Sequence, residues 1–171
     1  FLLAATRLIN EQGYRGASVD AIARKLNRTK GSFYHHVEGK GDLLAACFNR
    51  SLGVLRDAQR QAVASQTSGL DRARAACIAL VRRQQTEAGP LLRSSALMSA
   101  EEDKRETMFR DLAGVVLHFS GMMTDGIIDG SVRPCDARVA AEMIMVTVNS
   151  AAQIRNWTKD PTPDFAEDIY A

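Results

Sequence analysis

The sequence predicts an all-α protein, a short N-terminal helix-turn-helix unit followed by a larger helical domain. Apolar residues recur at spacings of three and four along most of the chain, as in Leu44, Phe48, Leu52 and Leu55, or Met108, Leu112, Val115, Phe119 and Met122. The breaks between these stretches hold Gly, Pro, Asn and Asp, which end or cap helices. No clear strand pattern is visible.

Length and composition bound the function. At 171 residues, with 46% hydrophobic and 25% charged residues, the chain has the make-up of a soluble globular protein. Its apolar runs fall far short of the roughly 18 residues of a membrane span, and no charged leader precedes an apolar core. The chain opens at Phe1 already inside a helical pattern, so residues are expected upstream. Three cysteines, Cys47, Cys77 and Cys135, form no pairing motif, and their odd number fits a reducing cytoplasm. Cys47 and Cys77 fall on apolar helix faces; Cys135 lies in a loop. The nucleophile-elbow, zinc-protease, P-loop and dinucleotide patterns are all missing, so no enzymatic role, cofactor or metal is expected.

The net charge of +2 hides an asymmetry. Residues 1–50 hold eight Lys or Arg against four Asp or Glu, and the rest hold fourteen against sixteen. Positive charge is therefore concentrated at the N-terminal end, as phosphate contact favours.

In chain order, residues 1–12 predict a helix with Leu2, Ala5 and Ile9 on one side, stopped by Gly13, and residues 14–17 form a connector. Ser18 caps the next short helix, with Asp20 near the positive end of its dipole and Ala21, Ile22 and Leu26 on its buried face. Asn27 tolerates the left-handed backbone of a helix stop. Thr29 caps a second short helix in which Phe33 points inward, while Lys30, Ser32, Tyr34, His35 and His36 reach phosphates and base edges. Gly31 lets the backbone approach a nucleic acid closely. The adjacent histidines point about 100° apart on a helix, and no Cys or carboxylate cluster joins them, which argues against a metal.

A long helix follows over residues 42–65, joining the two domains. Residues 66–69 are a polar break. A further helix carries Ala73, Cys77, Leu80, Val81 and Gln84 on one face and stops at Gly89-Pro90. Residues 91–98 predict a short helical piece, and residues 100–125 the strongest amphipathic helix, broken from Gly126 to the loop holding Cys135. Asp136 caps a helix over residues 137–157, and a last piece begins near Asp164. The helix from 137 has apolar or small residues on two sides: Val139, Met143, Val146 and Ser150, and Ala140, Ile144, Thr147 and Ala151. One side can face its own core and the other a partner. His118 reads as a structural histidine.

The run TKGSFYHHVEGKGDLL, preceded by SVDAIARKL and NEQGYRGA, resembles the DNA-binding domain of the tetracycline-repressor (TetR) family of transcriptional regulators. The resemblance is close over roughly the first fifty residues. Departures are Arg28 in place of a small apolar turn residue, Val37 in place of Phe and Gly41 in place of Glu; Arg28 would then point outward and add a phosphate contact.

The resemblance implies a DNA-binding domain over residues 1–46 and a helical regulatory and dimerisation domain over 47–171. It implies that Tyr34 and Lys40 hold phosphates and that Lys30, Ser32, His35 and His36 approach base edges, within a DNA-contacting set that also includes Ser18, Arg28, Thr29 and Gly31. It implies an apolar effector pocket, for which Leu80, Met98, Met108, Leu112, Val116, Phe119 and Met145 are the candidate walls, their alternative being plain core packing. It also implies a homodimer, with Val139, Met143, Val146, Ser150 and Ile154 as candidate interface, reading a palindromic operator with its reading helices about 34 Å apart or a multiple of that. The expected function is a repressor released by a small, largely apolar effector. The alternatives are a transcriptional activator or a protein-interaction module on the same scaffold.

Overall fold

The structure, a computed structural model, describes residues 1–25, 37–86 and 89–154. Helix α1 spans Leu2–Gly16 and buries Ala5, Thr6, Leu8 and Ile9. Gly13 does not end it outright. With φ 72° and ψ 163°, a conformation that glycine adopts without a Cβ penalty, it kinks the helix, which then makes one more turn. Helix α2 spans Val19–Lys25; as expected, the Ser18 hydroxyl accepts the Ala21 amide at 3.0 Å, and Ile22 is buried. The expected second short helix, with Leu26 and Asn27 before it, lies outside the described residues.

Helix α3, Lys40–Ser65, buries Leu44, Phe48, Leu52 and Leu55, the stripe that predicted it. Helix α4, Gly69–Gln85, buries Ala73, Cys77, Leu80, Val81 and Gln84. Its cap is Ser68, which accepts the Asp71 amide at 3.1 Å while its hydroxyl donates to the Asp71 carboxylate at 2.6 Å. Residues 91–93 are not helical, Arg93 is extended, and a 3₁₀ helix follows over Ser94–Ser99.

Helix α5, Glu102–Asp129, runs through the break expected at Gly126 and stops at Gly130, which is left-handed at φ 80°. The reason is packing. A Cβ on Gly69 would lie 2.1 Å from the Gly126 nitrogen, so Gly69 allows the start of α4 to cross α5 in backbone contact, while a Cβ on Gly126 would lie 2.6 Å from Val132 Cγ2, so Gly126 leaves room for the turn that follows α5. Helix α6, Ala137–Ile154, is capped by Asp136, whose Oδ1 accepts the amides of Arg138 and Val139 at 2.9 and 3.0 Å. Its buried side is Ala141, Met145, Val148 and Ala151, rotated by one residue from the side expected to hold Ala140 and Thr147. The piece expected from Asp164 lies outside the described residues.

Helix α3 packs on α1 below and on α4 and α5 above, and α6 packs on α4 and α5. Two buried glutamine side chains fasten these layers: Gln59 of α3 donates to the Val115 carbonyl of α5 at 2.9 Å, and Gln84 of α4 to the Val148 carbonyl of α6 at 2.8 Å. Buried amides bonded in this way fix helix register, since an unpaired one would cost about 1–3 kcal/mol.

Candidate functional site

The N-terminal unit is held at the junction of three helix ends. Lys40, at the start of α3, donates to the Arg15 carbonyl at the end of α1 at 3.1 Å, and its ammonium lies 4.7 Å from the centre of the Tyr14 ring. Burial lowers the Lys40 pKa. It also raises that of Tyr14, to which the nearby Glu101 adds. At the start of α5, Lys104 pairs with Asp42 of α3 at 3.0 Å and with Glu101 at 3.5 Å. Tyr14, read from sequence only as a connector residue, is the surface on which Lys40 rests. Of the expected DNA-contacting residues, Ser18 caps α2 and Lys40 anchors α3. Arg28, Thr29, Lys30, Gly31, Ser32, Tyr34, His35 and His36 lie outside the described residues.

A cavity of about 330 Å³ lies above this unit. Phe48, Leu52 and Leu55 of α3 form one wall, Leu112 and Val116 of α5 another, Met145, Val146 and Val148 of α6 a third, and Leu91, Leu92 and Leu97 close it from the side. Polar groups are few: Ser51, Ser94, Glu142, Asn149 and Ser150. An apolar chamber with a few convergent polar groups is the usual form of a small-molecule site. Among the expected walls, Leu112, Val116 and Met145 line this chamber. Leu80, Met108 and Phe119 are buried elsewhere in the core, and Met98 is 64% exposed. The leucines at 91, 92 and 97 were not legible as walls, because residues 91–98 read only as a short helical piece.

The segment carrying Leu91 and Leu92 also touches the N-terminal unit. The Asn10 side chain of α1 donates to the Leu91 carbonyl at 2.8 Å and accepts the Arg93 amide at 3.0 Å, and Arg93 donates back to the Asn10 carbonyl at 2.9 Å. Arg50 donates to the Pro90 carbonyl at 3.4 Å, and the Leu92 amide donates to Ser51 at 2.9 Å. At the far end, Ser94 bonds Asn149 of α6 through both its amide and its hydroxyl at 3.3 Å. This strap, residues 89–94, therefore forms cavity wall on one side and is clamped to α1 on the other.

On the outer face, α3 and α5 leave an open groove of about 870 Å³ bordered by Arg56, Arg60, Arg72, Leu117 and His118. Its arginines are paired with Asp111, Asp57 and Asp125 respectively. The His118 ring Nδ1 lies 2.9 Å from the Gly114 carbonyl one turn back, so the histidine is exposed but satisfied. Among the described residues no group of three or more His, Cys, Asp or Glu could hold a metal, and no helix is long and apolar enough to cross a membrane. Cys47 and Cys77 are buried and Cys135 is exposed, as their positions implied.

The described part of the N-terminal unit is thus fastened to a helical domain that holds an apolar cavity. The chain matches the family of bacterial regulatory proteins designated tetR over residues 1–47. It is 39% identical over 66 residues to the transposon Tn10 TetC protein of Escherichia coli, a stretch covering 39% of this chain and 33% of that protein. It is 22% identical over 151 residues to the fatty acid metabolism regulator protein of Bacillus subtilis, covering 85% of this chain and 76% of that one. Among solved structures, AibR in complex with isovaleryl coenzyme A and operator DNA superposes with a TM-score of 0.76, at 21% identity, over 99% of this chain and 93% of that one. The regulator FadR of Bacillus subtilis in complex with stearoyl-CoA superposes with a TM-score of 0.68, at 20% identity and the same coverage. At these identities the structural likeness establishes the shared fold.

Proposed function

We propose that the chain is a homodimeric, cytoplasmic repressor that binds a palindromic operator and releases it when a small, largely apolar effector fills the 330 Å³ cavity. The observation that carries this reading is the shared strap: Leu91 and Leu92 are walls of the cavity, and their backbone is held by Asn10 of the DNA-binding unit. An effector that pushes these leucines outward strains the clamp on α1. It then favours the conformation in which the reading helices no longer fit successive major grooves, by its differential affinity for the two states. On this reading residues 1–46 read DNA, residues 47–171 regulate and dimerise, and α3 spans the division.

The relatives' ligands suggest an effector class. AibR and FadR were solved with coenzyme A thioesters. The cavity here is at the lower end of the roughly 300–1,000 Å³ range of ligand sites, which favours a compact or branched acyl group over a long chain. Selection of bound fragments from genomic DNA, at salt near physiological strength, should enrich a palindrome. Isovaleryl coenzyme A or a similar short thioester should then release the enriched fragment more effectively than stearoyl-CoA. A folded dimer that enriches no motif, with or without these thioesters, would overturn the reading.

A further inference from the structure

We infer that Lys104, at the start of α5, is a positioning residue for DNA binding that acts through Asp42 on Lys40; this rests on the reading of Lys40 as a holder of DNA phosphate. Lys40 and Asp42 stand in the first turn of α3. That turn is gripped from two sides. On one side the Lys40 ammonium donates to the Arg15 carbonyl of α1 at 3.1 Å and lies 4.7 Å from the centre of the Tyr14 ring. On the other, the Lys104 ammonium donates to Asp42 Oδ1 at 3.0 Å and lies 3.5 Å from Glu101 Oε2, just before α5. Gly41 stands between the two gripped residues, and a Cβ there would already touch the Lys104 nitrogen at 3.4 Å. No side chain at position 41 competes for that ammonium.

The bridge fixes geometry more than it adds stability. Its three charged side chains are all partly open to solvent, and ion pairs of that kind contribute little to folding. An ammonium, however, has hydrogens for two carboxylates at once, so Lys104 ties the start of α5 to the first turn of α3 in one register. The same charges reach the ring beneath Lys40: burial raises the Tyr14 pKa, Glu101 adds to this, Lys104 opposes it and Asp42 adds again. A lysine that meets a phosphate already placed loses less side-chain freedom on binding. Without Lys104, the turn that carries Lys40 keeps only its grip on α1.

The test is a double-mutant cycle on the full chain, with a fluorescent duplex of random sequence as probe and affinity read by anisotropy over a salt series. Lys104→Met keeps the stem and removes the charge. It should weaken binding about three- to fivefold while the melting temperature stays nearly unchanged. In the Lys40→Ala background the same substitution should have no further effect, because no lysine is left to place. Lys104→Arg, which restores the charge, should recover most of the lost affinity. A Lys104→Met loss of equal size in both backgrounds means that Lys104 meets DNA by its own charge, and overturns the proposal. So does a loss that comes with a lowered melting temperature and that Lys104→Arg does not recover, which marks a merely structural residue. Wild-type binding by Lys104→Met, while Lys40→Ala binds weakly, overturns it and leaves the phosphate role of Lys40 standing. Wild-type affinity and salt slope in Lys40→Ala fail that role itself, and the proposal falls with it.

Discussion

The side chain of Asn10 on α1 grips the backbone of the cavity wall at Leu91, donating to its carbonyl at 2.8 Å while accepting the amide of Arg93 two residues on at 3.0 Å. An asparagine amide can serve as donor and acceptor at once, and here both functions hold one strap. Replacing it with Ala leaves a part-buried carbonyl and amide without these partners, at a cost of about 1–3 kcal/mol. Asn10→Ala should therefore lower the melting temperature modestly. It should also weaken the effector's ability to release operator DNA far more than it weakens operator binding. If effector response and DNA affinity fall by the same factor, the clamp is structural and does not carry the signal.

Filling the chamber should mimic or block the effector without touching the reader. Leu112 lines the cavity from α5, and Leu112→Trp adds an indole to a space of about 330 Å³. The variant should bind 1-aminoanthracene, a neutral fluorescent probe of apolar cavities, at least about tenfold more weakly, because the added ring occupies the volume the ligand needs. A variant that binds the probe as wild type does would place the effector elsewhere, and the groove beside Arg56 and His118 would then be the first alternative.

Two glycines meet where α4 crosses α5, and they are not equally replaceable. A Cβ at Gly69 would meet backbone atoms at 2.1 and 2.3 Å, the Gly126 nitrogen and the Met122 carbonyl, which cannot move aside singly. A Cβ at Gly126 meets chiefly the end of the Val132 side chain at 2.6 Å, which can rotate. Gly69→Ala should cost about 3 kcal/mol through overpacking. Gly126→Ala should cost much less, since the gain of roughly 1 kcal/mol in helix propensity offsets the smaller clash. Denaturant midpoints of the two variants check the order, and equal shifts would contradict it.

These elements mark where the sequence was and was not legible. The stripe Leu44, Phe48, Leu52 and Leu55 predicted α3 because spacing alone places those residues on one side, and Asp136 predicted the start of α6 because its cap is a local bond. Gly126 misled because a glycine that ends a helix and one that makes room for a returning side chain look alike until that side chain, Val132, is placed against it. The cavity was only partly legible for the same reason. Leu112, Val116 and Met145 line it while Leu80, Met108 and Phe119, equally apolar, fill the core, and helical periodicity identifies an inward face without showing where the inside is empty. The strap was invisible, since the bond from Asn10 to Leu91 joins residues 81 positions apart.

Lys40 is proposed to hold a DNA phosphate, and its surroundings bear on that role. It bonds the Arg15 carbonyl and rests on the Tyr14 ring, so its ammonium is preorganised but retains a free hydrogen for an anion. Lys40→Ala should weaken binding to specific and random DNA alike and reduce the slope of log affinity against log salt by about 1. A change in sequence preference without a change in slope would remove Lys40 from the phosphate contacts.

Asp129 ties the end of α5 to the start of α4 by a charge, and so gives that joint a pH dependence. Its carboxylate accepts the Gly69 amide at 2.8 Å and the Ser131 amide at 2.8 Å. Hydrogen bonding from the Ser131 side chain, then from these two amides, holds the Asp129 carboxyl below its ordinary value of 3.8. A carboxylate whose pKa is lower folded than unfolded contributes stability in full above the unfolded value, and that contribution is lost as pH falls through the folded one. Acidification from just above pH 3.8 downward should therefore weaken the wild-type protein partly through this residue. Asp129→Asn should be less stable at neutral pH, since an amide offers one acceptor atom where the carboxylate offers two. It should lose less on acidification, so the two stability curves converge at low pH. Denaturant midpoints at neutral pH and at steps through the acid range read this directly, and parallel curves would mean that the joint is held by the Gly69 and Gly126 contact and not by the charge.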